Sequence, residues 1–361
     1  MNSTGATVLV GTTKGAFFFI SDPGRRNWKA RGPFFASDMG ALGEVFHMAL
    51  DRRDGGRIYA GVNPGFTGPA VFFTDDLGES WKKSSKPPRF PKKSKLTAKN
   101  IWHITPGRED EPGKVYLGLD PHALFESDDG GNSWHDVPGL TYHEDRRGWN
   151  PGFGGPCLHT IVLDPGSRKG MWVGMSAAGV YHTRDMEKWA PRNRGIRVDF
   201  APVKFPEFGQ CVHKFALSCD GRTLFLQNHG GVYKSEDGGE TWLDISKGLP
   251  SDFGFALTAH PTDPRAFYIV PLEVPARFSL GAQASVYRTR DKGKSWEALT
   301  EGLPGNAYLT VLREGLCNDG LDPAGVYMGA KNGTIYFSRD DGEHFEVLAH
   351  DLPQILSVSS A

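Results

Sequence analysis

The chain has 361 residues, with 41 Lys and Arg against 42 Asp and Glu, a formal net charge of −1. A balance so close to neutral gives no overall case for nucleic acid or an acidic membrane surface as partner. No apolar run approaches the ~18 residues of a membrane span, and no basic segment precedes the apolar residues of the N-terminus. The four cysteines, Cys157, Cys211, Cys219 and Cys317, make no disulfide framework in so long a chain, which leads to the expectation of a cytoplasmic, reducing compartment.

The 46 glycines and 25 prolines fall between short apolar runs, the composition of an all-β chain rich in turns. Runs at 7–11 and 16–20 open the chain and lead into SDPGRRNW at 21–28. A second unit has runs at 45–51, 57–62 and 70–74, closing with TDDLGESW at 74–81. The same order returns as IWHIT, KVYLG, ALFES with SDDGGNSW at 127–134, then as LHTIVLD, MWVGM, GVYHT with TRDMEKW at 183–189. Next come VHKFALS, TLFLQ, GVYKS with SEDGGETW at 235–242, and FALTAH, AFYIV, SVYRT with TRDKGKSW at 289–296. A last unit has YLTVLR, GVYMG, TIYFS with SRDDGEHF at 338–345, and QILSVSS at 354–360 ends the chain.

The recurring motif reads Ser/Thr-x-Asp-x-Gly-x-Ser/Thr-Trp. Its Asp (Asp76, Asp129, Asp185, Asp237, Asp291, Asp340) can accept backbone N–H bonds, its Gly supplies a positive φ, and the hydroxyls on either side add bonds across the turn. The closing aromatics Trp28, Trp81, Trp134, Trp189, Trp242, Trp296 and Phe345 recur every 49 to 55 residues. A period of about 40 to 55 residues built from short strands and turns is that of propeller blades. The expected fold is therefore an all-β, seven-bladed β-propeller of four-stranded antiparallel blades, forming a single domain over 1–361. Blades two to seven cover approximately 45–84, 101–138, 158–192, 212–246, 255–300 and 308–349. The first unit, 7–31, lacks an innermost strand, and the strand 354–360 is expected to complete it and close the ring. In such a fold the Asp motifs lie opposite the face that carries ligands, so their expected role is structural.

These motifs in their blade setting resemble the Asp-box, or BNR, repeat of sialidases, sortilin-type receptors, xyloglucan-active glycosidases and photosystem II assembly factors. With VGTTKGAFF, WNPGFGGPCLH, FGQCVHKF and GLPSDFGF added, the chain is similar to bacterial seven-bladed BNR-like propellers of the sialidase-like or glycosyl hydrolase-like kind, related to WD40/YVTN-type propellers. The resemblance implies a ligand in the funnel of the loop-bearing face. The Arg-Ile-Pro string of sialidases is absent, the nearest being RGPF at 31–34, which counts against a true sialidase.

Several features fall on that expected face. Histidines stand near the start of four consecutive leading strands: His47, His103, His159 and His213. The last two align and each belongs to a Cys-x-His pair; His47 and His103 fall out of register by one or more residues. They suit ligand contacts, a buried hydrogen-bonded role, or a metal or proton-transfer site. Cys and His two apart point to one side of a strand, toward one neighbouring blade, so no metal and no cofactor are assigned. DPHA at 120–123 and QNHG at 227–230 bring Asp120, His122, Gln227, Asn228 and His229 to the entrance, where donors and acceptors suit sugar hydroxyls or plain turn chemistry. The loop 143–157 offers Arg146 and Trp149, the latter either a sugar platform or a buried anchor. Asp199 and Glu207 lie in the loop 190–210, and Glu273 and Arg277 in 271–284, a loop long enough for a lid or a subunit contact. The stretch 82–100 is basic and proline-rich and reads as a solvated loop or a polyanion contact.

Two function classes follow. One is a glycosidase-like hydrolase using carboxylates among Glu44, Asp120, Asp199, Glu207 and Glu273, two of which must face each other across the ligand by about 5 to 9.5 Å. The other is a non-catalytic propeller that binds a protein or glycan on the same face. The expected partner is a carbohydrate or small polar ligand, or a protein, with no nucleic acid and no membrane.

Overall fold

The eight-residue motif folds as a hydrogen-bonded turn whose chemistry repeats copy by copy in the computed structural model, which describes residues 5–35, 43–63 and 68–360. Thr74 Oγ donates to Asp76 Oδ1 at 2.6 Å and accepts from Gly78 N at 3.0 Å. Asp76 Oδ1 accepts from Ser80 N at 2.9 Å, and Oδ2 from Ser80 Oγ at 2.5 Å. The same four bonds tie Ser127, Asp129, Gly131 and Ser133, and recur around Asp237 and Asp291. In the last copy His344 does the work of the hydroxyl, with its Nδ1 2.8 Å from Asp340 Oδ2. In the shortened copy Asp185 Oδ1 accepts from Glu187 N and Lys188 N, and Met186, at φ 67°, takes the left-handed place. Against the cost of burial, the hydroxyl and backbone donors hold Asp129, Asp237 and Asp340 below the usual carboxylate range and Asp291 down to about 2. The Ser80 hydroxyl lowers Asp76 and the Lys188 N–H lowers Asp185.

The motif glycine has a second job, which is close approach. A Cβ added at Gly78 would stand 2.6 Å from the Phe34 ring, at Gly131 2.8 Å from the Tyr59 ring, and at Gly293 2.5 Å from Ile245 Cδ1. Three of the closing indoles reach the same way, to the end of the preceding sheet, whereas Trp189 Nε1 donates to Met186 O of its own turn at 3.3 Å. Trp134 Nε1 donates to Ser84 Oγ at 3.2 Å, Trp242 Nε1 to Arg192 O at 2.8 Å and Trp296 Nε1 to Ile245 O at 3.0 Å.

The strands form two compact units. The first comprises Met1–Ala177, Tyr181–Ala190 and Ser359–Ala361, the second Ala178–Val180 and Pro191–Val358. In the first, an antiparallel run Thr7–Thr12, Gly15–Ser21, Trp28–Phe34 is followed by four-stranded sheets led by Glu44–Asp51, Asn100–Pro106 and Leu158–Leu163. In the second, the sheets are led by Val212–Leu217, Gly254–Ala259 and Val311–Asn318, and Glu314 of the last pairs in parallel with Ser357 of the final strand, Ile355–Ser360. Consecutive sheets within each unit pack through alternating apolar side chains. Ile101, Ile104, Leu117, Val71 and Trp134 make one such core in the first unit, and Phe253, Tyr268, Val286, Val326 and Tyr336 make one in the second. No helix among the described residues is long and apolar enough to cross a membrane.

Five leading strands carry one extra residue near their start; in Gly254–Ala259 it falls between Gly254 and Leu257. Val45 pairs with Val62 and His47 with Gly61, which leaves Phe46 over; Trp102 is left over in the same way between Ile101 and His103. His159 and His213 are themselves the extra residues, between Leu158 and Thr160 and between Val212 and Lys214. A bulge re-aims the side chain it carries. It also accounts for the one-residue offset of the histidines: His47 and His103 follow the bulge, and His159 and His213 occupy it. The last leading strand differs from expectation. It runs Val311–Asn318 rather than from 308, and its register slips between Val311 and Leu316 where Gly315 comes close to the Gly329 carbonyl.

The motif glycines give a direct test. Gly293→Ala combines a φ of 82° with the contact on Ile245, and is expected to lower unfolding free energy by about 2–4 kcal/mol in urea titrations. A loss below about 0.5 kcal/mol, the range of a neutral surface change, would show that the site has room for a side chain.

Candidate functional site

The turn after the strand Val115–Asp120 and the loop packed on it bring together half of the site residues expected in the first unit: Asp120, His122, Arg146 and Trp149. Asp120 is buried, its Oδ2 lies 3.4 Å from Asn100 Nδ2, and its Oδ1 has no hydrogen-bond partner among the described residues. Burial pushes its pKa up, against the opposing pull of Lys99 and the Asn100 amide. His122, two residues on, places Nε2 2.8 Å from Ser176 O, and since a carbonyl only accepts, Nε2 carries the proton. Burial takes the His122 pKa down to about 4, with the Arg146 charge adding to the effect, so the ring is neutral across the physiological range.

The loop after the next turn wraps this pair. Arg146 Nη1 donates to His122 O at 2.6 Å, and its guanidinium stands 5.5 Å from the Trp149 ring centre. Trp149 is buried and acts as an anchor: Nε1 donates to Tyr181 Oη at 2.9 Å, and that hydroxyl donates to Asp145 Oδ2 at 2.8 Å. His143 stacks on the indole at 5.9 Å and 14°, with Nε2 3.1 Å from Trp189 O. Beside this network opens a cleft of about 640 Å³ lined by Leu96, Tyr142, His143, Glu144, Arg146 and Arg147, among others. Asp145 belongs to the polar run 144–147 that the sequence offers in this loop, whereas His143 and Tyr181 were not singled out. The signal available for them was a dense run of polar residues around one tryptophan. The basic stretch of this unit keeps its lysines exposed while Phe90 packs edge-on against Phe125 at 5.1 Å and Lys86 N donates to Asn132 O at 3.1 Å.

Elsewhere in the first unit, the His47 and His103 rings lie 4.2 Å apart, tilted by 33°, and Ile104 N donates to His47 Nδ1 at 3.2 Å. His159 Nδ1 is 3.0 Å from Thr160 Oγ, and Glu44 pairs with Asn63 at the head of its strand.

The second unit assembles a separate cluster. His213 Nδ1 lies 2.6 Å from Gly254 O, and its Nε2 lies 3.6 Å from Cys211 Sγ. The His213 ring is 5.5 Å from His229 and 4.7 Å from Phe255. Burial holds His213 well below its usual pKa, helped by Arg313; burial and then Arg277 lower His229. Arg277 and Arg313 both stand over Phe255, at 5.9 and 6.0 Å. Gln227 Nε2 donates to Asn228 O and Asp252 O at 2.9 Å each, and Asn228 Nδ2 donates to Arg197 O at 3.0 Å. Of the carboxylates, Asp199 is exposed and paired with Arg197 at 2.9 Å, and Arg197 also holds Asp252 at 3.0 Å. Glu207 is exposed and uses its backbone carbonyl to accept from Asn193 Nδ2 at 3.0 Å. Glu273 is half-buried and opens a tight turn, its carbonyl accepting from Arg277 N at 2.7 Å.

No family model matches the chain. Over 294 residues it is 22% identical to the oligoxyloglucan-reducing end-specific xyloglucanase of Emericella nidulans, a match that covers 70% of this chain and 34% of that one. The GH74 xyloglucanase from Xanthomonas campestris superposes with a TM-score of 0.66 and 16% identity, over 95% of this chain and 52% of that one. YCF48 bound to D1 peptide superposes with a TM-score of 0.53 and 14% identity, over 87% of this chain and 84% of that one. The chain thus spans about a third of the curated xyloglucanase and about half of the solved one. Likeness at these identities establishes the β-propeller fold.

His122 supplies the pH test. Its pKa drops from an ordinary 6.5 to about 4 on folding, so between those values the unfolded chain binds the extra proton. Stability is then complete above pH 6.5 and falls as the pH is lowered toward 4. His122→Gln keeps a donor for Ser176 O but loses the titration. The difference in unfolding free energy between wild type and variant is expected to change by about 3 kcal/mol across that window, read from urea midpoints. A difference that does not vary with pH overturns the assignment.

Proposed function

We propose that the chain is an Asp-box propeller of seven blades, a single domain completed by its last strand, that binds a sugar or other small polar ligand as a glycosyl hydrolase-like protein. Support for closure comes from each unit separately. Glu314 pairs with Ser357 in the second, and Ser359 Oγ donates to Met48 O at 2.8 Å in the first.

The observation that carries the ligand reading is Asp120. A general acid for glycoside cleavage must hold its proton near neutral pH, which requires a desolvated carboxyl. Asp120 has that environment, and one of its oxygens makes no internal hydrogen bond among the described residues. Next to it are a neutral imidazole, His122, and a guanidinium, Arg146, that suit hydroxyl and ring oxygens. The xyloglucanases that the chain is similar to make xyloglucan oligosaccharides the first substrates to try.

A second reading, a protein- or peptide-binding propeller, has its own observation. Asp199 is neutralised by Arg197, and the segment beyond it exposes Phe200, Val203 and Phe205, each more than half accessible. An apolar surface of that kind suits a polypeptide partner, and the YCF48 neighbour carries a peptide.

Chromogenic glycosides, sialosides and xyloglucan oligosaccharides, assayed with wild type and Asp120→Asn, separate these readings. The hydrolase reading expects turnover that falls about 10²–10⁴-fold in the variant while calorimetric binding of the same sugar persists. Sugar binding without turnover leaves a glycan-binding propeller. Neither binding nor turnover across the panel removes the carbohydrate reading in favour of the polypeptide one.

A further inference from the structure

Cys211, His213 and His229 bring three metal-ligating atoms within 4.8 Å of one another in the second unit. We propose that they hold a thiophilic divalent ion of the Zn²⁺ class, three protein ligands leaving a further position open to solvent or ligand. Nothing in the Asp120 chemistry requires this site, and it stands on its own geometry.

The bulge at His213 starts the argument. In an unbulged strand residues two apart share a side, and the extra residue here turns the imidazole so that Nε2 lies 3.6 Å from Cys211 Sγ. A tetrahedral ion with Zn–S of about 2.3 Å and Zn–N of about 2.0–2.1 Å sets its sulfur and nitrogen ligands ~3.6 Å apart, so this edge of the tetrahedron is already formed.

The protonation state follows from the far side of the ring. His213 Nδ1 faces Gly254 O at 2.6 Å and must carry the hydrogen, which leaves the Nε2 lone pair facing the thiol. A backbone carbonyl holding the non-ligating nitrogen is the usual outer contact of a metal-binding histidine. A thiol donating to Nε2 would give the same single contact, and the third residue distinguishes the two cases. His229 N donates to Cys211 O at 3.0 Å, tying the two segments together. The His229 ring is half-buried, edge-on to Phe200 at 5.7 Å and Phe253 at 5.1 Å. To complete a triangle around an ion it must close by at most ~1.5 Å, within reach of a side-chain rotation.

The surroundings select the ion. Arg277 and Arg313 flank Phe255, which packs against His213, and their positive charge works against any ion held by electrostatics alone. One sulfur and two imidazole nitrogens with no carboxylate is a poor set for Mg²⁺ or Ca²⁺ and a good one for Zn²⁺ or Co²⁺. The matching pair Cys157 and His159 sits on the equivalent bulge in the first unit but does not belong to a three-ligand group among the described residues, which makes it an internal control.

The test uses the full chain, stripped with a chelator and titrated with Co²⁺ under reducing conditions. Expected are one equivalent bound, an intense thiolate-to-cobalt charge-transfer band, and displacement by Zn²⁺. Cys211→Ser should abolish the band, and His229→Gln, at a half-exposed position, should weaken binding at least ~10-fold without disturbing the fold. Cys157→Ser should leave both unchanged. Binding that survives His229→Gln unaltered, a band that disappears with Cys157→Ser rather than Cys211→Ser, or no stoichiometric cobalt at all overturns the site.

Discussion

The structure depends on a carboxylate that accepts hydrogen bonds from the turn it sits in. Asp76, Asp129, Asp237 and Asp291 each take two hydroxyl bonds and one or more backbone N–H bonds, so the turn is held by its own residues. Each such bond contributes about 1 kcal/mol net. Their greater effect is geometric: the turn delivers a glycine edge and an indole N–H to the end of the preceding sheet, where Ser84, Arg192 or Ile245 receives them. Sheet-to-sheet spacing is thus written into a local motif. The worn copies show that the job matters more than the residue, since His344 replaces the hydroxyl and Met186 accepts a left-handed φ where glycine is missing.

This explains why the fold was legible in the sequence. A period near 53 residues and an eight-residue turn grammar name strands, turns and their order, because side-chain type and spacing carry them directly. The bulges were not legible. Whether Trp102 or His103 is the extra residue depends on which backbone groups pair with Leu119 and Gly118, and that choice leaves no mark in an alternating apolar pattern. The offset among the four histidines was visible, but its cause lies in strand register. The last leading strand slipped for the same reason, around Gly315.

For the candidate sites the division is similar. Residue types and loops were found, but partners were not. Trp149 was readable as a platform or an anchor, and the loop's path to Tyr181 and Asp145 decides for the anchor. Asp199 and Arg197 stand two apart, so their pairing was open to inspection, and it turns a candidate acid into a neutralised surface group. Asp120 is the reverse case. Nothing in DPHA marks its carboxyl as desolvated; that follows from the strands stacked around the turn.

Buried polar groups therefore divide by how completely the fold satisfies them. Where satisfaction is complete, as in the indole, phenol and carboxylate chain of Trp149, Tyr181 and Asp145, the group is structural, because any ligand would have to break bonds already made. Where one atom is left over, as with Asp120 Oδ1 and Asn228 Oδ1, the cost of its burial is outstanding and a ligand atom can offset it. The imidazole of His213 is a third kind: its outer nitrogen is fixed by Gly254 and its inner lone pair is aimed at a thiol, an arrangement that an ion completes without displacing any bond to the backbone. Because the Asp motifs already hold the sheets together, the loops at the other ends of the strands can carry such incomplete groups without loss of the fold.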